Sequence, residues 1–378
     1  MSMTPEAFRA LFPGQRRLRH LASCSLGARS IALDEAMERM SADMADHGAP
    51  WELFEEQVRQ ARERFAALIG ARPDQVAVMP NASVGAYQAV STMNWRARPK
   101  LITTEREFPS VAHVWLAQRP NGAEVVYARD TDDYAALIDD RTRLVSAPLV
   151  CYQDSVRLPV AELTRAAHDA GAEVFVDAYQ AVGVEPVDVG ELGCDYLVAG
   201  TMKYLLGLPG MAFLYARRPD RTDRDPLLTG WFGRIDPFAF DPRTLDFPAT
   251  AARFQTGTPA VPAGYAANAG LRLLGEVDLA RVREHVRGLT ELAIDNLRAQ
   301  GERVRHVPPE WRGAHIGLAS DNPIELTRRL AERGLVVSPR GDVVRISFHY
   351  YSDAEDVAAL CAALHELGVA SALHQRTA

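Results

Sequence analysis

Between Val76 and Tyr215 short apolar runs rich in β-branched residues alternate with longer amphipathic stretches, and this alternation limits the fold more than any other feature of the chain. The runs are VAVM (Val76 to Met79), LIT (Leu101 to Thr103), EVVY (Glu124 to Tyr127), RLVSAPLV (Arg143 to Val150), EVFVD (Glu173 to Asp177), DYLVAG (Asp195 to Gly200) and MAFLY (Met211 to Tyr215). Strands this continuously apolar are buried on both faces, as in strand-helix-strand units that build a mostly parallel sheet. Between them Val84 to Thr92, Val111 to Gln118 and Ala161 to Ala170 carry a helical period, the last stopped by Gly171. From Arg221 to Pro259 the chain is rich in Pro, Gly, Asp and Phe without sustained period, which predicts a long ordered loop. A helical stretch from Ala263 through Leu297, broken near Gly275, leads to a second alternation: VRHV, HIGLA, a helix from Ile324 to Arg333, LVVS, VVRISF and a helix from Asp353 to Leu367. A large α/β domain followed by a small α+β domain is expected.

A chain of 378 residues is long enough for two such domains. With 47% hydrophobic and 24% charged residues it is neither disordered nor fibrous. A net charge of -7 provides no basic field for a nucleic-acid backbone or an anionic membrane. Cys24, Cys151, Cys194 and Cys361 form no CxxC pair, which argues against a zinc ribbon or dithiol motif and fits a reducing cytoplasm. Charges are interleaved with the apolar residues of the first segment, and no later run is long enough to span a bilayer, so a soluble, unprocessed cytoplasmic protein is expected. The histidines contain no HxxxH or HxH pair, so no metal is expected; His113, His315 and His349 read as structural or supporting residues.

Ligands of parallel sheets sit beyond the carboxyl ends of strands. Asp177 closes EVFVD, and Lys203 follows DYLVAG in the segment AGTMKYLLGLPG. The two can face one cleft; a buried ion pair or two solvated loop charges would explain them as well. Ala82 and Ser83 lie at the turn after VAVM, where small side chains let backbone N–H groups and the positive helix end approach a phosphate, unless Ser83 is simply an N-cap. Phe108, in Glu107-Phe-Pro-Ser110, can cover a flat heteroaromatic ligand or fill the core.

Together these motifs resemble the class V aminotransferase family of pyridoxal-phosphate enzymes, the branch of fold type I that includes cysteine desulfurases, selenocysteine lyases and kynureninases. The resemblance runs from LASCSLG (Leu21 to Gly27) to VRISFH (Val344 to His349); its most specific part is VFVDAYQAVG followed by AGTMKYLLGLPG. FQTGTP (Phe254 to Pro259) is a further match, and GWFG (Gly230 to Gly233) is similar to kynureninases in particular. The fold implied is the PLP-dependent transferase fold type I, with a mostly parallel seven-stranded sheet in a large domain over 15–258 and a smaller α+β domain from 1–14 and 259–378.

Carried over residue by residue, the resemblance implies that Lys203 forms the internal aldimine and later serves as general base. Asp177 would pair with the pyridinium nitrogen, a contact worth up to roughly 5 kcal/mol at an effective dielectric near 20. A ring held protonated is the electron sink for a substrate carbanion. Gln180 matches the position that meets the phenolic oxygen, Phe108 the stacking position, and Ala82 and Ser83 the phosphate turn. Met202 stands where many relatives carry His or Tyr, leaving Thr201 or Thr258 to supply the missing polar contact. Thr258 matches a residue reaching the neighbouring subunit's phosphate, which implies a homodimer with a shared active site. Arg345 matches the arginine that grips the α-carboxylate, with Arg340 close by in sequence. Ser25, Tyr152, Gln153, Trp231, Arg234 and His349 are candidates to line the substrate pocket, His349 because it follows Arg345 on the same strand and face.

Desulfurases carry a nucleophilic cysteine near the substrate arginine, whereas Leu335 to Tyr351 here contains none. The kynureninase-like GWFG and the desulfurase-like core favour a lyase acting on an α-amino acid through an α-carbanion, by β-elimination or by C–S or C–C cleavage, and the missing cysteine implies that it works without a persulfide. Transamination to a 2-oxo acid is the alternative, and epimerisation a third.

Overall fold

The computed structural model describes residues 2–368. In chain order the elements begin with α1 (Pro5–Ala10), β1 (Arg19–His20), α2 (Ile31–His47) and α3 (Trp51–Leu68). The alternating region then supplies β2 (Val76–Met79), α4 (Ala82–Ser91), β3 (Lys100–Thr104), α5 (Pro109–Leu116), β4 (Glu124–Ala128), α6 (Thr131–Leu137), β5 (Thr142–Pro148) and α7 (Val160–Asp169). It closes with β6 (Glu173–Asp177), α8 (Val189–Leu192), β7 (Tyr196–Gly200) and β8 (Ala212–Ala216). After the loop region come α9 (Val261–Gly275), α10 (Leu279–Ala299), β9 (His315–Ala319), α11 (Pro323–Ala331), β10 (Leu335–Val336), β11 (Ser338–Arg340), β12 (Val343–Ser347) and α12 (Ala354–Glu366).

The main sheet has seven strands in the order β2-β8-β7-β6-β5-β3-β4. Only β8 runs against its neighbours, because a direct turn of about ten residues from β7 cannot provide a parallel crossover. Both faces are covered. Val174 and Val176 of β6 enter the core with Phe65, Leu197 and Phe213, while Phe175 between them packs with Val111, Trp115, Val198 and Leu214 on the other side. Burial of each such side chain is worth about 1.5–3 kcal/mol, enough to fix the register of the central strands. That register aligns Asp177 with Pro148 of β5 and Val198 of β7, so the loops after these strands open on one edge of the sheet.

The C-terminal part carries a small antiparallel sheet, β11-β12-β9, contacted by α10 and α11, with α12 packed on α10. The N-terminal segment joins it: β1 pairs in parallel with β10, and Ala22 bridges Ser347. Beyond that pairing Ser23 to Gly27 crosses to the main sheet, where the Gly27 N–H donates to Met202 O at 2.7 Å. A Cβ at Gly27 would lie 2.5 Å from Lys203 O, so this close approach requires glycine.

Two expected strands differ. VRHV contributes only a bridge from Val304 to Leu318, and the prolines at 308 and 309 stop the pairing from extending. LVVS divides between β10 and β11, with Val337 at the corner between two different partners. The long loop from Arg221 to Pro259 contains only short 3-10 turns, at Trp231–Gly233, Pro237–Ala239 and Ala251–Phe254. Among the described residues no helix is long and apolar enough to cross a membrane.

Candidate active site

A narrow cavity opens where β5, β6 and β7 end, lined by Arg106, Phe108, Pro148, Val150, Tyr152, Asp177, Tyr179, Gln180 and Lys203. The Lys203 side chain reaches it from the turn after β7. That turn is braced by Thr201, whose hydroxyl donates to Leu208 O at 2.6 Å, and by the Gly207 N–H, which donates to Thr201 O at 2.8 Å. The Thr201 hydroxyl is thus committed to shaping the lysine turn. Lys203 Nζ lies over two aromatic faces, 5.2 Å from the Phe108 centroid and 4.9 Å from that of Tyr179. Burial pulls its pKa down to about 8, aided by the nearby charge of Arg345 and opposed by Asp177. Near neutrality a usable fraction of the amine is therefore uncharged and nucleophilic.

Asp177 is buried at the end of β6, and its Oδ1 accepts the Tyr179 N–H at 2.9 Å. Burial raises its pKa, while that N–H and Lys203 act in the opposite direction. Gln180 donates from Nε2 to Cys24 O at 3.0 Å, which ties the N-terminal segment to the cavity, and its buried Oε1 has no partner. Outside this lining, helix α4 begins after β2. Its N-cap is Asn81, which accepts the Val84 N–H at 3.0 Å, and the Ser83 hydroxyl instead donates to Ser110 O at 2.7 Å. Ala82 and Ser83 therefore stand in the first turn, at the positive end of the helix.

Arg345 projects from β12 toward the same region and is almost fully buried. Nη1 donates to Tyr152 O and Nη2 to Ser338 Oγ, each at 2.9 Å, while Nε has no partner. The Tyr152 ring meets Phe108 edge-on at 5.0 Å, so Arg345 and Phe108 share one neighbour. Arg340, on β11, donates from Nη1 to Pro339 O at 2.7 Å and is partly buried. Gln153 is half-buried beside Gly341, and Ser25 is half-buried in the turn closed by its N–H to Ala22 O at 2.8 Å.

Four expected site residues lie elsewhere in this chain. Strand β12 ends at Ser347, so the face shared with Arg345 does not continue to His349, which is stacked between Phe8 and Tyr351 with Nε2 bonded to Tyr204 O at 3.0 Å. Trp231 packs among Phe232, Phe238 and Phe240 in the long loop, and the adjacent Arg234 is paired with Asp246 at 3.1 Å. Thr258 is exposed and lines a separate groove of about 470 Å³ with Glu52, Arg59, Arg62 and Phe232. Residues that the sequence did not single out are Tyr179 and Arg106, which line the cavity; His315, read from the sequence as a structural or supporting residue, lies close to it. His315 is fully buried with both ring nitrogens unpartnered, and burial beside Arg345 and Lys203 holds it neutral. All four cysteines are buried; Cys151 is pushed up to about 12, chiefly by burial. Among the described residues no group of three His, Cys, Asp or Glu side chains is placed to hold a metal.

An aldehyde-bearing aromatic ring with an anionic arm suits this geometry. An amine, a carboxyl group and a free amide oxygen converge on one cavity walled by Phe108 and Tyr179.

The family model for class-V aminotransferases matches residues 34–360. An uncharacterized aminotransferase, YcbU, of Bacillus subtilis (strain 168) is 33% identical over 361 residues, covering 94% of this chain and 96% of that protein. A kynureninase of Pseudomonas fluorescens is 28% identical over 338 residues, 82% of this chain and 79% of its own length. Among solved structures, a cysteine desulfurase from Thermococcus onnurineus NA1 superposes with a TM-score of 0.86 at 20% identity, covering 97% of this chain and 98% of that one.

Proposed function

This chain belongs to the class-V aminotransferase family of pyridoxal-phosphate enzymes, and on that footing we propose that it is a lyase acting on an α-amino acid, with no cysteine taking part covalently. The observation that carries the reading is the meeting of Lys203, Asp177 and Tyr152 in one narrow cleft, with Arg345 bonded to the Tyr152 carbonyl at 2.9 Å, while all four cysteines are buried rather than carried on an exposed loop. The likeness to a kynureninase, together with the GWFG segment, favours bond cleavage over amino-group transfer.

The residues present fit the cofactor. Lys203 would hold it covalently, Asp177 would face its ring nitrogen, Phe108 would cover the ring, and Ala82 and Ser83 would meet its phosphate. The orphaned Gln180 Oε1 marks an amide with hydrogen-bonding capacity left for a ligand in this cavity. When bound, pyridoxal phosphate supplies an aldehyde for the substrate amine and a sink for the electrons left when the α-proton departs. Arg345 orients the α-carboxylate, and its contacts to Tyr152 and Ser338 keep the guanidinium plane fixed for a bidentate grip. Lys203, its amine freed, removes the α-proton, a task suited to a base pulled down to about 8. The apolar wall of Phe108, Val150 and Pro148 excludes water from that transfer.

Arg345→Ala should raise the KM for the amino acid about 30- to 100-fold while leaving cofactor binding in place, as one charge-assisted clamp is lost. If Arg340→Ala weakens binding and Arg345→Ala does not, the clamp has been assigned to the wrong arginine. A variant with all four cysteines replaced by Ser or Ala should retain most of its turnover when folded. A persulfide trapped on one wild-type cysteine, with activity lost in that single variant, would contradict the lyase mechanism proposed here.

The family resemblance, with Thr258 exposed on this chain, is the basis for reading a pair of chains in which each completes the other's phosphate site. Thr258→Ala should weaken cofactor retention, and a monomer fully active at high dilution would count against the shared site. A second reading, amino-group transfer, is favoured by the Bacillus subtilis relative. Incubating holoenzyme with a panel of amino acids and identifying products by mass spectrometry separates the two. The lyase consumes its substrate without an added 2-oxo acid; a requirement for one, with a new amino acid formed, would establish the transferase instead.

A further inference from the structure

Behind the cavity lies a second carboxyl group that the mechanism above does not use. Glu107 is 3% exposed and sits immediately before Phe108. Its Oε1 accepts the Phe108 N–H at 3.1 Å, and its Oε2 is hydrogen-bonded to Ser146 Oγ at 2.9 Å. Ser146 lies on β5, next to Phe175 in the register that also sets Pro148 beside Asp177. The serine is itself held, with Trp115 Nε1 donating to its hydroxyl oxygen at 3.0 Å and the Tyr134 hydroxyl donating to its carbonyl at 2.8 Å. Helices α5 and α6 thus fasten the strand that fastens Glu107, and Glu107 fastens the backbone of the aromatic residue facing Lys203.

We propose that Glu107 is a positioning residue of the Lys203 site, locking Phe108 through its backbone N–H and leaving Asp177 as the only anion behind the ligand ring. The inference rests on the reading of Lys203, Asp177 and Phe108 as cofactor-binding residues. Two carboxyl groups in one dry region cannot both ionise cheaply. Lys203 and the Tyr179 N–H favour the charge on Asp177. Glu107 has neither; burial and the Asp177 charge raise its pKa far above the usual carboxylate range, against the Ser146 and Phe108 hydrogen bonds. The other titratable groups around it are the Tyr134 hydroxyl on α6 and the Cys151 thiol after β5, both raised by burial and neutral near neutrality. As pH rises past neutrality Glu107 gives up its proton and a second negative charge appears behind the ring. A cationic cofactor-lysine link is then favoured, so the visible absorbance of the holoenzyme should change with pH in a way that depends on Glu107.

The test is a pH titration of that absorbance in wild type, Glu107→Gln, Ser146→Ala and Asp177→Asn holoenzymes. Glu107→Gln keeps an acceptor for the Phe108 N–H, so cofactor retention should stay within about threefold of wild type. The link should bind its proton about three- to tenfold less tightly in alkaline solution, because the second charge never forms. Glu107→Ala should lose cofactor about tenfold faster, since the bond that holds the Phe108 N–H goes together with the one from Ser146, and the rescue by Gln marks positioning rather than packing. Ser146→Ala moves the Glu107 step to higher pH, which keeps the idea falsifiable if the Gln variant does not fold. If Asp177→Asn alters the spectrum while the Glu107 and Ser146 variants titrate like wild type, this inference is wrong and the site stands. If Asp177→Asn leaves the spectrum unchanged, the site reading itself fails.

Discussion

Lys203→Ala should lower turnover by at least about 10⁴-fold, because one substitution removes both the covalent anchor and the base. The fold should survive. The turn that carries the lysine is braced by the Thr201 hydroxyl and by backbone bonds, none of which uses the amine. The variant is therefore expected to give an unchanged circular-dichroism spectrum while losing the visible band of a covalently held cofactor. Its pH response differs too. Burial lowers Lys203 from 10.5 to about 8, so between those values the unfolded chain holds a proton that the folded one has released. Stability of the cofactor-free wild type should rise as pH climbs through that window and lose this contribution as pH falls through about 8. Thermal melts of Lys203→Ala across the same range should lack that slope; an identical slope would place the lysine in water.

Asp177→Asn carries the second-largest effect. The amide is nearly isosteric and can still accept the Tyr179 N–H that holds Asp177 at 2.9 Å, so folding and cofactor uptake should persist. It cannot hold a ring nitrogen protonated. Solvent exchange of the substrate α-proton, followed by NMR in deuterium oxide, should slow by about a thousandfold, or roughly 4 kcal/mol of lost stabilisation. Exchange at the wild-type rate would show that this carboxyl group plays no part in stabilising the developing charge.

The residues at the heart of the site were legible because their neighbours are. Apolar runs such as EVFVD and DYLVAG announce strands buried on both faces, and once those strands are adjacent, Asp177 and Lys203 follow at one sheet edge. Elsewhere the signal was weaker. Helix α2 has a visible Ser30 cap and ends at Gly48, yet only Leu33, Ala36 and Asp43 of its residues are buried, so its apolar stripe is thin. Strands β1 and β10 are two residues long and pair across most of the chain, which no local period can reveal. His349 was placed by extending the Arg345 face two residues past the end of β12, where alternation no longer applies. Glu107 and His315 are polar residues whose burial depends on what packs over them, and that information is tertiary.

The central claim is that Lys203 is the cofactor's anchor, and borohydride reduction of the holoenzyme tests it most directly. Reduction converts the cofactor-lysine link to a stable secondary amine, which peptide mapping by mass spectrometry then locates. The account predicts a single pyridoxyl group on the peptide containing AGTMKYLLG, at Lys203. A pyridoxyl group on Lys100, the other lysine of the chain, or no attachment at all, would contradict it.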